Sequence, residues 1–169
     1  MFELFIYEKD KDELPQELGV KYISDELKSM LNRFLYYSSQ YLLVHKDVYF
    51  ENHIPIILVT HDEEGRLYGM CELLWNKNTS LIEIYNVCVF PEQRGKGHCN
   101  NLIKYIIDTI QPILNCDLWI AVSYINPMYD IVVEIYKKLG FTDLIQTNII
   151  TPSGILYGHG FLELSKFKK

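Results

Sequence analysis

LIEIYNVCVFPEQRGKGHCNNLIKYIIDTI, residues 81–110, runs through three patterns in succession. Residues 81–90 are rich in β-branched and aromatic side chains and read as a strand. Residues 91–97 hold a proline, two glycines and two fixed cations. Beyond them Leu102, Ile103, Ile106, Ile107 and Ile110 recur at helical spacing, and Pro112 is expected to end that helix. A strand, a glycine turn and a helix in this order aim free backbone N–H groups at one spot, at the positive end of the helix dipole. Gly95 and Gly97 let the backbone approach a ligand closely, and Arg94 and Lys96 add charge. Two readings stand side by side: a capped surface turn with solvated cations, or a cradle for phosphates. The spacing fits neither GxxxxGK[ST] nor GxGxxG, so neither nucleotide loop applies.

Working outward, the 169 residues suit one domain, 1–169, with 49% hydrophobic and 14% aromatic content, which is ample for a folded core. A net charge of −6 argues against direct nucleic-acid binding. No apolar run is long enough to span a bilayer, and Glu3 and Glu8 interrupt the start where a signal peptide would be basic and then apolar. A soluble cytoplasmic protein without membrane association is expected. Cys71, Cys88, Cys99 and Cys116 are spaced without a CxxC pair and the five histidines form no ligand-like set with them, so reduced thiols and no metal are expected.

Along the chain, residues 2–7 read as a strand. Ser24 opens a helix with Leu27, Met30, Leu31, Phe34 and Leu35 on its apolar stripe. Residues 55–60 and 67–75 form a hairpin around Asp62-Glu63-Glu64-Gly65, and 81–90 is a fourth strand. After the second helix come a strand at 116–124 and a helix opened by Asn126-Pro127. That helix carries Ile131, Val132, Ile135 and Leu139 as its buried face, and Gly140 stops it. Strands at 144–150 and 155–164 close the chain around Thr151-Pro152-Ser153-Gly154. The order is strand, helix, three strands, helix, strand, helix, two strands: a mixed α/β layered fold.

Arg94-Gly95-Lys96-Gly97-His98-Cys99 resembles the (Arg/Gln)-x-x-Gly-x-(Gly/Ala) signature of the GNAT superfamily of N-acetyltransferases, with Cys99 in place of the final Gly or Ala. Val89-Phe90-Pro91 is similar to the family's valine-x-proline exit from its fourth strand. Tyr136-Lys137-Lys138-Leu139-Gly140-Phe141 resembles its second signature, at the end of the fourth helix. The resemblance covers nearly the whole chain and is weakest in the N-terminal region. It implies the acyl-CoA N-acyltransferase fold, a central mostly antiparallel sheet with splayed strands 4 and 5 flanked by helices. It also implies acetyl-CoA as co-substrate, an amine acceptor as partner, and often a homodimer.

Residue by residue, the resemblance assigns Arg94, Gly95, Lys96, Gly97, His98 and Cys99 to the coenzyme pyrophosphate. The peptide groups of Val87, Cys88 and Val89 are assigned to the pantetheine arm and the thioester carbonyl. Glu83, 11 residues before Arg94 (94 − 83), resembles the general base of several lysine-acetylating members. Alternation sets Glu83 opposite the apolar face of Ile82 and Ile84, so an ordinary solvent-facing strand glutamate is the competing reading, with Glu72 or a water chain as substitute base. Tyr136 resembles the tyrosine that protonates the departing thiolate; a core-filling helix tyrosine is its alternative. Asn126 matches an asparagine that contacts the coenzyme, although it stands ten residues before Tyr136 (136 − 126), Tyr129 is nearer the family's usual place, and an N-cap role explains it. Cys88, Cys99 and His98 are not assigned to nucleophilic catalysis, because no paired base and acid accompany them.

The implied activity is acetyl transfer to a primary amine by direct attack in a ternary complex. The alternative is a GNAT-fold module that holds coenzyme A or an acyl-coenzyme A without turnover. A dinucleotide-binding fold is disfavoured, since no acidic ribose-binding residue follows the loop at the end of a second parallel strand. Acceptor identity stays open. Tyr36, Tyr37, Tyr41, Tyr49, Phe50 and Tyr157 either line an acceptor groove together with the loop at 44–53 or simply pack.

Overall fold

The computed structural model describes residues 1–7, 10, 12–36, 53–122, 129–147 and 159–164. Its strands are β1 (Phe2–Ile6), β2 (Lys21–Tyr22), β3 (His53–His61), β4 (Leu67–Asn76), β5 (Leu81–Val89), β6 (Asp117–Val122), β7 (Thr142–Thr147) and β8 (His159–Leu164). The helices are α1 (Asp25–Tyr36), α2 (His98–Tyr105), α3 (Gln111–Leu114) and α4 (Tyr129–Lys138). Among the described residues the strands form one sheet in the order β2-β1-β3-β4-β5-β6-β8-β7. The pairings β1–β3, β3–β4, β4–β5, β6–β8 and β7–β8 are antiparallel, whereas β1–β2 and β5–β6 are parallel. The expected mixed α/β fold with a mostly antiparallel sheet is therefore present. The two-residue β2 shifts the count by one, so the fourth and fifth strands of the sequence reading are β5 and β6.

The parallel pair is short. β5 and β6 are in register from Leu81↔Asp117 to Ile84↔Ile120, after which β5 continues to Val89 beside β4 while β6 keeps its pairing with β8. The two central strands separate beyond Ile84, which is the expected splay. A bulge adds to it. Met70 faces Cys88 and Glu72 faces Tyr85, so β5 carries one extra residue, and Asn86 takes it up at φ 51°.

Two apolar layers sandwich the sheet. On one face Ile56, Leu58, Cys71, Leu73, Ile82, Ile84, Leu118 and Ile120 pack beneath Leu102, Ile103, Ile106 and Ile110 of the second helical segment and Val133 and Tyr136 of α4. On the other face Ile57, Val59, Met70 and Cys88 meet Leu31 and Leu35 of α1. The Ser24 hydroxyl accepts from the Leu27 amide (3.0 Å), capping α1 as its sequence suggests. On α1 Leu31 and Leu35 are buried and Leu27 is half-buried against them, whereas Met30 is 37% exposed.

Two expectations about helices change. Pro112 does not end the second helix: α2 widens into a π turn at Ile106–Ile110, continues as α3 with the proline in its first turn, and stops at Asn115 with φ 51°. A proline lacks the N–H that would bond back to residue 108, and a wide turn ahead of it accommodates that loss. In α4 Val133 and Tyr136 are buried and Val132, Ile135 and Leu139 of the expected face pack half-buried against the same core, whereas Ile131 is 54% exposed. The expected helix start at Asn126-Pro127 and the turn at 151–154 lie outside the described residues. Among the described residues no helix is long and apolar enough to cross a membrane.

Candidate active site

The glycine turn sits where β5 leaves the sheet. Pro91 starts a short 3₁₀ turn (Pro91–Gln93), Gly95 and Gly97 take φ values of 77° and 83°, and Gly97 occupies the N-cap of α2 without any side-chain cap. The left-handed backbone explains the glycines, since a Cβ costs roughly 1–2 kcal/mol in that region. A Cβ built on either glycine meets nothing within 4 Å, so both open outward. Arg94 folds back and donates from Nε to the Val89 carbonyl oxygen (3.2 Å), and Lys96 donates from Nζ to Gln93 Oε1 (3.2 Å). The imidazole of His98 stacks on Tyr68, with ring centroids 4.3 Å apart. Burial, and then the charge of Lys96, hold it below its ordinary pKa and hence neutral at pH 7. An uncapped helix N-terminus flanked by two cations and two outward-facing glycines suits a diphosphate.

Beside this turn the splay exposes peptide groups. The Phe90 amide donates to the Tyr68 carbonyl (2.9 Å), so Phe90 and, by alternation, Cys88 direct their peptide groups toward β4. Those of Val89 point away from β4, where its carbonyl oxygen accepts from Arg94 Nε, and Val87 follows directly on the bulge at Asn86. Gly69 allows the close approach of β4 here, because a Cβ on it would lie 2.7 Å from the Cys88 carbonyl oxygen.

Glu83 is not a solvent-facing glutamate. It is 2% exposed, and Glu72 on the neighbouring strand is 3% exposed. Alternation does set Glu83 opposite Ile82 and Ile84, but that second face is also covered. A carboxylate taken out of water needs donors, and local ones surround this pair. The Tyr85 hydroxyl donates to Glu83 Oε1 and Asn86 Nδ2 donates to Glu72 Oε1 (2.6 Å), while His53 Nε2 stands 3.8 Å from Glu83 Oε2, beyond hydrogen-bond distance. Tyr7 at the end of β1 also feels this charge: burial first, and then Glu72, push its phenol well above the ordinary range. The result is a buried acidic pocket on the α1 face of the sheet, immediately before the splay.

Tyr136 lies on the opposite face, 2% exposed within the core under α4. Its hydroxyl is 3.9 Å from the Sγ of Cys99, the final residue of the glycine signature. Burial, and then Cys99, raise its pKa well above the ordinary value, so the phenol keeps its proton. All four cysteines are free thiols.

The structure thus brings Val87, Val89, Arg94, Gly95, Gly97, His98, Cys99 and Tyr136 to one end of the gap, with Cys88 turned toward β4. Glu83 lies just before the gap, where β5 and β6 are still paired, on the other face of the sheet from Tyr136. Asn126, Tyr37, Tyr41, Tyr49, Phe50, Tyr157 and most of the loop at 44–53 lie outside the described residues. Sequence reasoning missed His53, Asn86 and Gly69, whose roles arise from cross-strand register. Tyr85 was within reach, because it follows Glu83 by two positions and must share its face.

Residues 53–143, more than half of the chain, match the family model described as Acetyltransferase (GNAT) domain. No curated protein sequence matches the chain. Among solved structures, a protein of Klebsiella pneumoniae subsp. pneumoniae, provisionally named an acyl-CoA N-acyltransferase, is 13% identical with a TM-score of 0.60, covering 99% of both chains. A point mutant of the spermidine N-acetyltransferase of Vibrio cholerae is 22% identical with a TM-score of 0.53, covering 84% of this chain and 75% of that one. A dodecameric structure of the Vibrio cholerae enzyme is 19% identical with a TM-score of 0.53, covering 98% and 94%. At these identities the likeness is one of fold.

Proposed function

The chain belongs to the GNAT acetyltransferase family, and from that premise we propose that it transfers an acetyl group from acetyl-coenzyme A to a primary amine by direct attack in a ternary complex. The observation that carries this reading is the gap beyond Ile84↔Ile120, with an uncapped glycine turn at one end and a buried carboxylate beside it. In this reading the α2 N-terminus, Arg94 and Lys96 hold the pyrophosphate, and the peptide groups of Val87 and Val89 hold the pantetheine arm and polarise the carbonyl. Donors of that kind are worth about 2.7–4 kcal/mol each. Glu83 accepts the ammonium proton, the amine nitrogen bonds to the carbonyl carbon, the C–S bond breaks as Tyr136 gives its proton to the thiolate, and the second proton of the nitrogen restores the phenol as the neutral amide forms. Two buried carboxylates on the acceptor side favour a cationic amine.

The test has two stages. Calorimetric titration with acetyl-coenzyme A, with ATP as control, should give saturable binding clearly tighter than ATP. Thiol release should then be followed across spermidine, an aminoglycoside, a peptide with a free N-terminus and a lysine peptide. Absence of coenzyme binding in a folded sample removes the reading. Binding without turnover on any amine supports the alternative, a coenzyme-holding module, which the unusual Cys99 favours.

A further inference from the structure

We propose that His53 is the proton relay for Glu83, taking from that buried carboxylate the proton removed from the amine and passing it to solvent. The proposal rests on the reading of Glu83 as base and adds a residue that neither the signatures nor the family match assigns.

A base with a side chain 3% exposed can accept one proton but has no direct route for losing it to water. His53 opens β3, its Nε2 lies 3.8 Å from Glu83 Oε2, and its side chain is 11% exposed, so it stands between the pocket and the surface. Its tautomer is set by a neighbour. Asn76, opposite His53 in the β3–β4 register, has its Oδ1 occupied by the Asn78 amide (2.9 Å) and the Thr79 amide (3.2 Å). An amide oxygen that accepts two backbone N–H groups fixes which end of the side chain is Nδ2. That NH₂ group faces His53 Nε2 at 3.4 Å. The donor requires a lone pair on Nε2, so the neutral ring carries its proton on Nδ1, and that one lone pair takes the proton from Glu83 when Asn76 Nδ2 gives it up.

The steps balance. The ammonium gives a proton to the Glu83 carboxylate, leaving a neutral amine and a carboxylic acid. The acid gives that proton to His53 Nε2, which restores the carboxylate and forms an imidazolium. The imidazolium gives its Nδ1 proton to water, and the ring returns to the tautomer that Asn76 selects. Among the described residues, the titratable groups on this sheet face near the ring are Glu83 and Tyr85 of β5 and Glu72 of β4, and beyond Glu72 Tyr7 with Lys28 of α1 over its ring.

The test compares wild type, His53→Ala, His53→Gln and Glu83→Gln over a range of pH, with acetyl-coenzyme A affinity measured for each. Both His53 variants should bind the coenzyme within twofold of wild type and lose on the order of tenfold or more in kcat/KM for the amine. The acid limb of their pH profile should move, and millimolar imidazole should restore part of the rate of His53→Ala. Glu83→Gln should lose about 10²–10⁴-fold without rescue. Full rate and an unchanged profile in the His53 variants, with Glu83→Gln inactive, would overturn the relay and leave the base standing. Full rate in Glu83→Gln would overturn the base, and the relay with it. Nitrogen NMR of the wild-type ring gives a check that no variant can confound: an Nε2–H tautomer in the neutral state overturns the proposal.

Discussion

The Tyr136 hydroxyl and the Cys99 Sγ meet at 3.9 Å, so the last residue of the glycine signature touches the candidate acid of α4 across 37 positions of sequence. Burial raises both groups above their ordinary pKa values, and both remain neutral. A thiol is a weak hydrogen-bond partner, so the contact orients the phenol without binding it strongly.

Tyr136→Phe should therefore slow the chemical step by about 10²-fold or more while acetyl-coenzyme A affinity stays within twofold. Losing the hydroxyl leaves only a thiol behind, so stability should change by less than about 1 kcal/mol. Single-turnover kinetics and thermal melting measure the two. An unchanged single-turnover rate would remove Tyr136 from the chemistry.

Alkaline pH should destabilise the protein more than its composition alone suggests. Burial raises Tyr136, Tyr7, Cys71 and Cys99 in the folded state. Their neutral forms are favoured only while folded. The stability they contribute is thus complete below the unfolded values, about 8.5 for thiols and 10 for phenols, and falls as pH rises through them. Melting temperatures between about pH 7 and 11 should decline from about pH 9, and Tyr136→Phe should flatten the decline above about pH 10.

Two glycines should separate binding from folding. Gly97→Val places a side chain in open space at φ 83°, and should abolish coenzyme binding while the fold persists. Gly69→Ala drives a Cβ to 2.7 Å from the Cys88 carbonyl oxygen, and should cost about 1–3 kcal/mol, or about 2–4 °C per kcal/mol at this chain length. Calorimetry and melting on both variants decide it; retained coenzyme affinity in a folded Gly97→Val would remove the turn from the site.

Asn86 does two things that substitution can divide. It holds φ 51° at the bulge and donates to buried Glu72. Asn86→Gly keeps the backbone conformation and loses the donor, at about 1–3 kcal/mol. Asn86→Ala loses both, and should be lower by a further 1–2 kcal/mol or so. Equal stability of the two variants in denaturant unfolding would mean that the left-handed backbone carries no strain.

Much of the architecture was readable locally. The hairpin around Asp62 appears where expected, with Asp62 Oδ1 accepting from the Glu64 and Arg66 amides (both 2.9 Å), because turn chemistry lies within a few residues. Of the apolar stripe Leu102, Ile103, Ile106, Ile107 and Ile110, all but Ile107 are buried, and Ile107 packs half-buried against the same core. The glycine turn was found for the same reason: spacing in sequence is spacing in space when a strand runs straight into a helix. Local rules failed where a long-range contact decided. Pro112 was read as a stop, but the core held the helix on through a π turn. Ile131, expected on the buried face of α4, is 54% exposed, because Val133 and Tyr136 take the centre of that face while Val132, Ile135 and Leu139 pack half-buried beside them.

By itself the sequence determined the order of strands and helices, the place of the glycine turn and the residue types around a candidate base and acid. It did so because periodicity, caps and turns act over a few residues. Only the tertiary structure decided that Glu83 is buried, that the strands part after Ile84, that Asn76 and Glu83 both lie beside His53 Nε2, and that Cys99 reaches Tyr136. Those relationships depend on cross-strand register and helix rotation, which are fixed by contacts between residues far apart in the chain.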